Sequence, residues 1–424
     1  MSDVRTFSLP SRPFQAEVEL PGDKSLGHRA LILAAMADGD SVVAGLSSGA
    51  DIAATRRAIA ALGVGGAGDA IVSPGIDAWT APRAPLDCGN SGTTVRLLAG
   101  ALAGSPVSAT LVGDDSLMRR PMARIVEPLR LLGADVSASP AGTPPIVVVG
   151  RPLHGARVAL AISSAQVRTS VALAALSADG PTRLSSPPGF RDHTERWLAH
   201  LGRGRAEGEA TFIVEPGPVP PLDLQLPGDP SSAAFLWAAA AIRPGSRLVT
   251  PGVSMNPGRT GFLDILDRMG ATVEVENGEP VMGDPVGTVT VTGAALQGIL
   301  IEGALTVRAL DELPLVAVLA AAADGETVVD GASELRVKES DRIESSVALA
   351  RAAGGRARAT PEGFIVSGKD AAAPTTVDAR ADHRVAMAGA VASLARGSSV
   401  SVAGFSAAAV SWPEFAEVLE GLWS

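Results

Sequence analysis

The chain reads as a mixed α/β protein built from two homologous halves, on three observations. Helical patterns end on a glycine six times, at Gly63, Gly133, Gly202, Gly270, Gly354 and Gly421, at intervals of 70, 69, 68, 84 and 67 residues. One glycine after a helix is an ordinary C-cap, but a near-constant period marks repeated structural units. The tetrapeptide LPGD stands at 20–23 and again at 226–229, about three repeats apart, each time before an alanine-rich run. Between the helices lie short alternating or β-branched stretches, PIVVVG at 145–150, TVTVT at 288–292 and ETVV at 326–329, which read as strands. Helices mixed with strands in every unit place the chain in the α/β or α+β class. Two halves of three units each follow: residues 22–227 as one domain, 1–21 with 228–424 as the other. The hinge is expected near 20–23 and 226–229.

Taken in chain order, the helices share an oddity at their starts. LPGDKSLGHRA, 20–30, crowds Lys24, His28 and Arg29 at the head of an apolar run. Cations at a helix N-terminus oppose the dipole, so such a site either costs stability or awaits an anion. NSGTTVR at 90–96 leads into LLAGALA. Arg119 and Arg120 precede MARIVEPLRLLG, with Pro121 suited to a first helical position. SSAQVR at 163–168 runs into TSVALAAL, NPGRT at 256–260 into GFLDILDRMG, and VKESDR at 337–342 into IESSVALARAAG. DHR at 382–384 precedes VAMAGAVASLA. Free backbone N–H groups, the positive end of the dipole and a nearby cation together make an anion site. A surface Arg paired with a neighbouring acid is the plain alternative at each position, but the set as a whole points to a multiply anionic ligand.

Composition narrows the partner. A net charge of −10 and 3% aromatics argue against a nucleic-acid surface. Lysine and arginine total 35, and only Lys24, Lys338 and Lys369 are lysines. A lysine kept in so arginine-rich a chain suggests a need for a compact, titratable ammonium; Lys369, in the turn-like SGKD, is the one most easily put down to chance. The single cysteine, Cys88, forms no intramolecular disulfide and fits a reducing compartment. The five histidines show no metal-ligand spacing, so no metal and no cofactor are expected. The apolar runs fall short of a membrane span, and the N-terminus lacks an apolar signal core, so a cytoplasmic protein without membrane contact is expected, working as a monomer. No G-x-x-x-x-G-K-[ST] loop or G-x-G-x-x-G fingerprint in a strand-turn-helix setting occurs, which leaves a small phosphorylated metabolite as the anion.

The segments PGDKSLGHRA, GNSGTTVRLL, GDDSLMRRPM, SAQVRTSVALAAL, RDHTER, GDPSSAAF, NPGRTG, DELP, ELRVKESDRI and DHRVAMA occur in this order over about 21–415. In them the chain resembles the 5-enolpyruvylshikimate-3-phosphate synthase family. The resemblance implies a two-domain inside-out α/β barrel, each domain three βαβαββ repeats, with substrates in the cleft between domains. It implies transfer of enolpyruvyl from phosphoenolpyruvate to the 5-hydroxyl of shikimate 3-phosphate through a tetrahedral ketal, without a metal.

By that resemblance Asp311 and Glu339 are acid/base candidates, with Lys24 a further proton-handling and phosphate-contacting group. A helix cap (Asp311) and a helix-start carboxylate (Glu339) are their structural alternatives. Phosphoenolpyruvate falls to Lys24, Gly92, Arg120, Arg342 and Arg384. Shikimate 3-phosphate falls to Ser25, Arg29, Ser164, Gln166, Lys338 and Asp311, with Arg168 in addition. Gly92 implies inhibition by glyphosate in competition with phosphoenolpyruvate. Three departures stand out: Val410 where the family often has a basic residue, Gly27 where it commonly has a serine or related polar residue, and Pro187, Pro188, Gly189 and Phe190 before RDHTER.

Two rivals remain. The sister enolpyruvyl transferase acting on UDP-N-acetylglucosamine shares the architecture, but commonly carries a cysteine or aspartate in a catalytic loop and an AKN-type start. Here Cys88 reads as a small buried side chain. A non-catalytic phospho-metabolite sensor would have the cleft without turnover; retention of Lys24, Asp311, Glu339 and the three arginines argues against it.

Overall fold

Helices Lys24–Met36, Gly92–Ala103 and Ala165–Ala175 are buried on nearly every side. Toward their C-terminal ends their sequences are small and apolar on every side, without the stripe of a surface helix, so they belong inside a core. The computed structural model, which describes residues 3–369 and 375–424, resolves two compact units. One comprises Gly22–Pro227 with Pro280–Asp284, the other Met1–Pro21, Gly228–Glu279 and Pro285–Ser424. Each has its own apolar core.

In the first unit three sheets flank the buried helices. Strand Asp38–Ala44 lies between Asp223–Gln225, parallel, and Ala70–Pro74, antiparallel. The second sheet runs Leu86–Asp87, Ser108–Val112, Ile146–Val149, Asp135–Ser137, and the third has the same pattern from Arg157–Ala159 to Gly204–Ala206. Ile146–Val149 alternates buried and exposed residues, one face on the helices and one in water. The second unit repeats the scheme around helices Pro230–Ile242, Leu313–Ala322, Arg342–Ala352 and His383–Arg396. Thus 86–149 reads β-α-β-α-β-β, with its first two strands parallel. Among the described residues three repeats take in a strand distant in sequence: Asp223–Gln225 in the first unit, and in the second Gln15–Glu17 beside Arg247–Ser254 and Val4–Phe7 beside Val400–Ala403.

The glycines that mark the repeat do so for a backbone reason. Gly63, Gly133, Gly202, Gly270 and Gly354 all have positive φ, from 67° to 103°. At Gly270 the N–H donates to Asp267 O, and Ala271 N–H to Leu266 O, closing the helix end. Gly421 differs: it is the last residue of helix Phe415–Gly421 and is not among the positive-φ glycines. Pro121 also differs from expectation. The helix begins at Ala123, after a 3-10 turn at Leu117–Arg119, so the proline sits before the helix. Pro280–Asp284 belongs with the first unit, although the sequence reading assigns it to the second domain. His193 Nδ1 lies 2.9 Å from Asp284 Oδ2, with both side chains fully buried, and Arg196 Nη1 donates to Gly283 O.

The two LPGD copies take matching roles. Asp23 caps Lys24–Met36 by accepting from Leu26 N, and Asp229 caps Pro230–Ile242 by accepting from Ser231 N. Asp23 N–H donates to Pro227 O in one unit, and Asp229 N–H to Pro21 O in the other.

Helices Gly92–Ala103 and Ala165–Ala175 touch backbone to backbone. A Cβ on Gly100 would fall 2.1 Å from Ser170 O, an atom that cannot swing away. Gly100→Ala is therefore expected to destabilise the first unit by about 1–3 kcal/mol or more, read as a lower urea midpoint; an unchanged midpoint would refute the close packing.

Candidate active site

In the first unit the cation-bearing helix starts carry a connected set of side chains. Lys24 Nζ lies 2.9 Å from Asp51 Oδ2, in the first turn of Ala50–Ala60. Gly92 opens its helix between two guanidinium groups. A Cβ there would meet Arg96 Nη1 at 2.9 Å and Arg120 Nη1 at 3.4 Å, so glycine keeps backbone and cations together. Arg120 is aimed by Asn90, donating to its Oδ1 (2.6 Å) and its O (3.2 Å). Gln166 joins two helix starts: it accepts from Arg96 Nη1 and donates to Thr93 Oγ1. Ser164 stands at the N-cap of Ala165–Ala175 without a side-chain cap bond, and the neighbouring Ser163 Oγ is buried with no partner. Ser25 lies at the second helical position, half-buried.

Two arginines serve the frame. Arg29 is 3% exposed and donates to Thr194 Oγ1, Thr169 Oγ1 and Ser25 O, tying three helices. Arg168 is 1% exposed, pairs with Glu195, donates to Ser186 Oγ and Ala210 O, and lies 3.8 Å over the centre of the Phe190 ring. That contact gives the unusual 187–190 segment a physical account, because a desolvated guanidinium on an aromatic face is favourable. Gly27 has one as well: a Cβ would press on Ile52 Cδ1 at 3.0 Å and Leu46 Cδ2 at 3.3 Å.

In the second unit the acids and cations of the site meet at Arg342. This first residue of helix Arg342–Ala352 donates to Asp382 Oδ2 at 2.8 Å, Glu339 Oε2 at 2.6 Å and Asp311 Oδ1 at 3.3 Å. Burial works against its charge, but Asp382, Glu339 and Asp311 more than offset that and hold its pKa above the ordinary arginine value. Arg384 Nη1 donates to Asp311 O at 3.0 Å and to Glu312 Oε1 at 3.1 Å. Lys338 Nζ lies 3.7 Å from Asp311 Oδ1 and 3.3 Å from Glu334. Asp311 lies in the 3-10 turn Leu310–Glu312; the N-cap position before Leu313 is Glu312, which accepts from Ser231 Oγ. The capping reading of Asp311 is thus set aside. Glu339 is not the helix cap either, since Asp341 accepts from Ile343 N and Glu344 N.

Another helix-start arginine is taken up by the frame. Arg259 of NPGRT is buried against Asp229 Oδ1 and Ser231 Oγ, both at 2.8 Å. Val410 lies half-buried in the 3-10 segment Phe405–Val410. Cys88 is fully buried, and burial, aided by Asp87, pushes its thiol up to about 12, so no thiolate forms near neutrality. The side chains that sequence reasoning missed are mostly partners of those it named: Asp51, Asn90, Arg96, Ser163, Glu312 and Asp382. Asp382 had a usable signal, an Asp directly before a helix start, as in GDK and GDP. Among the described residues no group of three or more His, Cys, Asp or Glu is placed to hold a metal, and no helix is long and apolar enough to cross a membrane.

Comparison with known proteins bears on this constellation. The family model for EPSP synthase (3-phosphoshikimate 1-carboxyvinyltransferase) matches residues 9–419. A 3-phosphoshikimate 1-carboxyvinyltransferase of Roseiflexus castenholzii is 44% identical over 98% of this chain and 99% of its own. One of Acidithiobacillus ferrooxidans is 45% identical over 97% and 96%. Among solved structures, the EPSP synthase of Acinetobacter baumannii superposes with a TM-score of 0.86 at 36% identity, covering 99% of this chain and 98% of that one. The enolpyruvyl transferase NikO of Streptomyces tendae, at 19% identity and a TM-score of 0.77, shares the fold. With matched motifs running from end to end, the chain belongs to the EPSP synthase (3-phosphoshikimate 1-carboxyvinyltransferase) family.

Proposed function

We propose that the chain transfers the enolpyruvyl group of phosphoenolpyruvate to the 5-hydroxyl of shikimate 3-phosphate, releasing inorganic phosphate. The observation that carries this reading is Arg342, whose one fork holds both Asp311 and Glu339 beside Arg384. Addition requires the 5-hydroxyl to lose a proton as its oxygen bonds to C2 of phosphoenolpyruvate, while the methylene carbon gains one. Elimination breaks the C2–O bond to phosphate and takes a proton back from the methyl carbon. Such chemistry needs carboxylates near both oxygen and carbon, and cations to stabilise the phosphate that leaves. Asp311 is assigned as base on the hydroxyl, Glu339 to proton delivery, and Lys24 to both proton handling and phosphate contact. The two carboxylates share one guanidinium.

Arg120, Arg342 and Arg384, with Lys24 and the Gly92 backbone, take the phosphate and carboxylate of phosphoenolpyruvate, since guanidinium forks match both groups. Ser25, Arg29, Ser164, Gln166, Lys338 and Asp311, with Arg168 in addition, take shikimate 3-phosphate. Arg29 and Arg168, both deeply buried, are themselves held by Thr194, Thr169 and Glu195. Motion at the two LPGD segments, 20–23 and 226–229, is expected to accompany substrate binding. The enzyme acts as a cytoplasmic monomer.

Phosphate release from a mixture of purified protein, shikimate 3-phosphate and phosphoenolpyruvate tests the reading. No release, with shikimate 3-phosphate shown to bind, would make the protein a sensor; release only with the UDP-sugar acceptor would assign the sister reaction. Glyphosate is expected to compete with phosphoenolpyruvate. Gly92→Ala, which pushes a methyl group against Arg96 and Arg120, is expected to weaken inhibition about ten-fold or more, roughly 1.4 kcal/mol. An unchanged inhibition constant would remove Gly92 from the site. Val410, standing where relatives often carry a cation, lowers the expected starting sensitivity.

A further inference from the structure

His28, Thr55, Thr94 and Ser91 form a chain of buried hydrogen bonds that the reaction itself does not use. His28 Nδ1 lies 2.7 Å from Thr55 Oγ1, Thr55 Oγ1 lies 2.7 Å from Thr94 Oγ1, and Thr94 Oγ1 donates to Ser91 Oγ at 2.7 Å. All four residues are 0–1% exposed. Each hydroxyl has a single proton, which sets the direction of the chain. Thr94 spends its proton on Ser91, so it accepts from Thr55. Thr55 has then spent its own and accepts from His28, whose proton must sit on Nδ1. His28 Nε2 is buried without a partner, so nothing holds a second proton there. Burial, helped by Lys24 and Arg29 and opposed by Asp51, pushes the imidazole pKa down to about 3, so the ring stays neutral and the direction does not reverse.

The chain ends where the anion site begins. His28 lies one turn after Lys24, and Thr55 one turn after Asp51, the partner of Lys24. Ser91 caps the helix that opens at Gly92, accepting from Thr94 N as well as from Thr94 Oγ1. Three helix starts are therefore held in register from behind. We infer that this one-way chain, with His28 as its neutral Nδ1–H donor, is a positioning device that sets the Gly92 helix start against the Lys24 helix start and so governs affinity for the anion bound there. The identity of that anion as phosphoenolpyruvate rests on the function proposed above.

Two measurements test the chain. In Thr55→Val the middle hydroxyl is lost at nearly constant volume; Thr55→Ser restores it. Thr55→Val is expected to raise KM for phosphoenolpyruvate about ten-fold while KM for shikimate 3-phosphate stays within about two-fold, and Thr55→Ser to recover most of that loss. An unchanged KM for phosphoenolpyruvate, equal rises in both KM values, or no recovery with serine would overturn it. In the unmodified protein, nitrogen-15 NMR is expected to show His28 as the neutral Nδ1–H tautomer from about pH 5 to 8. An Nε2–H tautomer, or titration within that range, would overturn the chain even if Thr55→Val does not fold. Failure of the wild-type protein to release phosphate would instead strike the proposed reaction and leave the NMR result standing.

Discussion

Replacing Arg342 by methionine is expected to cost both the fold of the second unit and the reaction. The arginine is 1% exposed, and its principal partner Asp382 is 0% exposed. Its removal leaves that carboxylate buried with Ser340 Oγ and the Arg384 backbone N–H as the partners of its side chain among the described residues. Breaking a buried pair from one side typically costs about 3–5 kcal/mol, more than the pair contributed, because the remaining charge has lost its compensation. The same change removes the guanidinium that Asp311 and Glu339 share and deletes a fork assigned to phosphoenolpyruvate, so kcat/KM is expected to fall by about 10²–10³. Arg342→Lys separates the two effects: charge is kept, the three-way fork is not. Lysine is expected to recover part of the stability and little of the turnover. Denaturant melts and steady-state rates read both, and a methionine variant as stable as the parent would contradict the hub described here.

Asp311→Asn should show the opposite balance, a large kinetic loss on a sound fold. Asp311 is half-buried and makes no helix cap, and asparagine keeps an acceptor oxygen for Arg342 at the same place. What the amide cannot do is take a proton. General acid/base groups contribute about 10²–10⁴ in rate, and kcat is expected to fall by that much. The stability change is expected to stay near 1 kcal/mol, roughly 2–4 °C in Tm. A variant with normal kcat would move the base elsewhere, with Glu339 the next candidate.

The period of seventy residues was legible because it rests on backbone geometry: a helix that must turn back over its sheet ends on a left-handed residue, and only glycine adopts φ near +90° without strain. The helix starts were legible because side chains that cap or hold anions come from a short menu. Their partners were not. Nothing in NSGTTVR announces that Arg96 is held by Gln166, seventy residues on, nor in SSAQVR that Arg168 turns inward to Glu195 and Phe190. Arg29, Arg168 and Arg259 share a sequence setting with Arg120 and Arg384, yet the first three are buried in frames of hydroxyls, carbonyls and carboxylates.

By itself, the sequence determined the repeat, the mixed α/β class and a set of helix starts that carry cations, because all of these follow from local rules of capping, periodicity and turn chemistry. Only the tertiary structure decided which arginine faces which carboxylate, that Glu312 rather than Asp311 stands at the helix cap, and that Pro280–Asp284 packs with the other half. Those are contacts between residues distant along the chain, where burial and the direction of a side chain, not its type, select the partner.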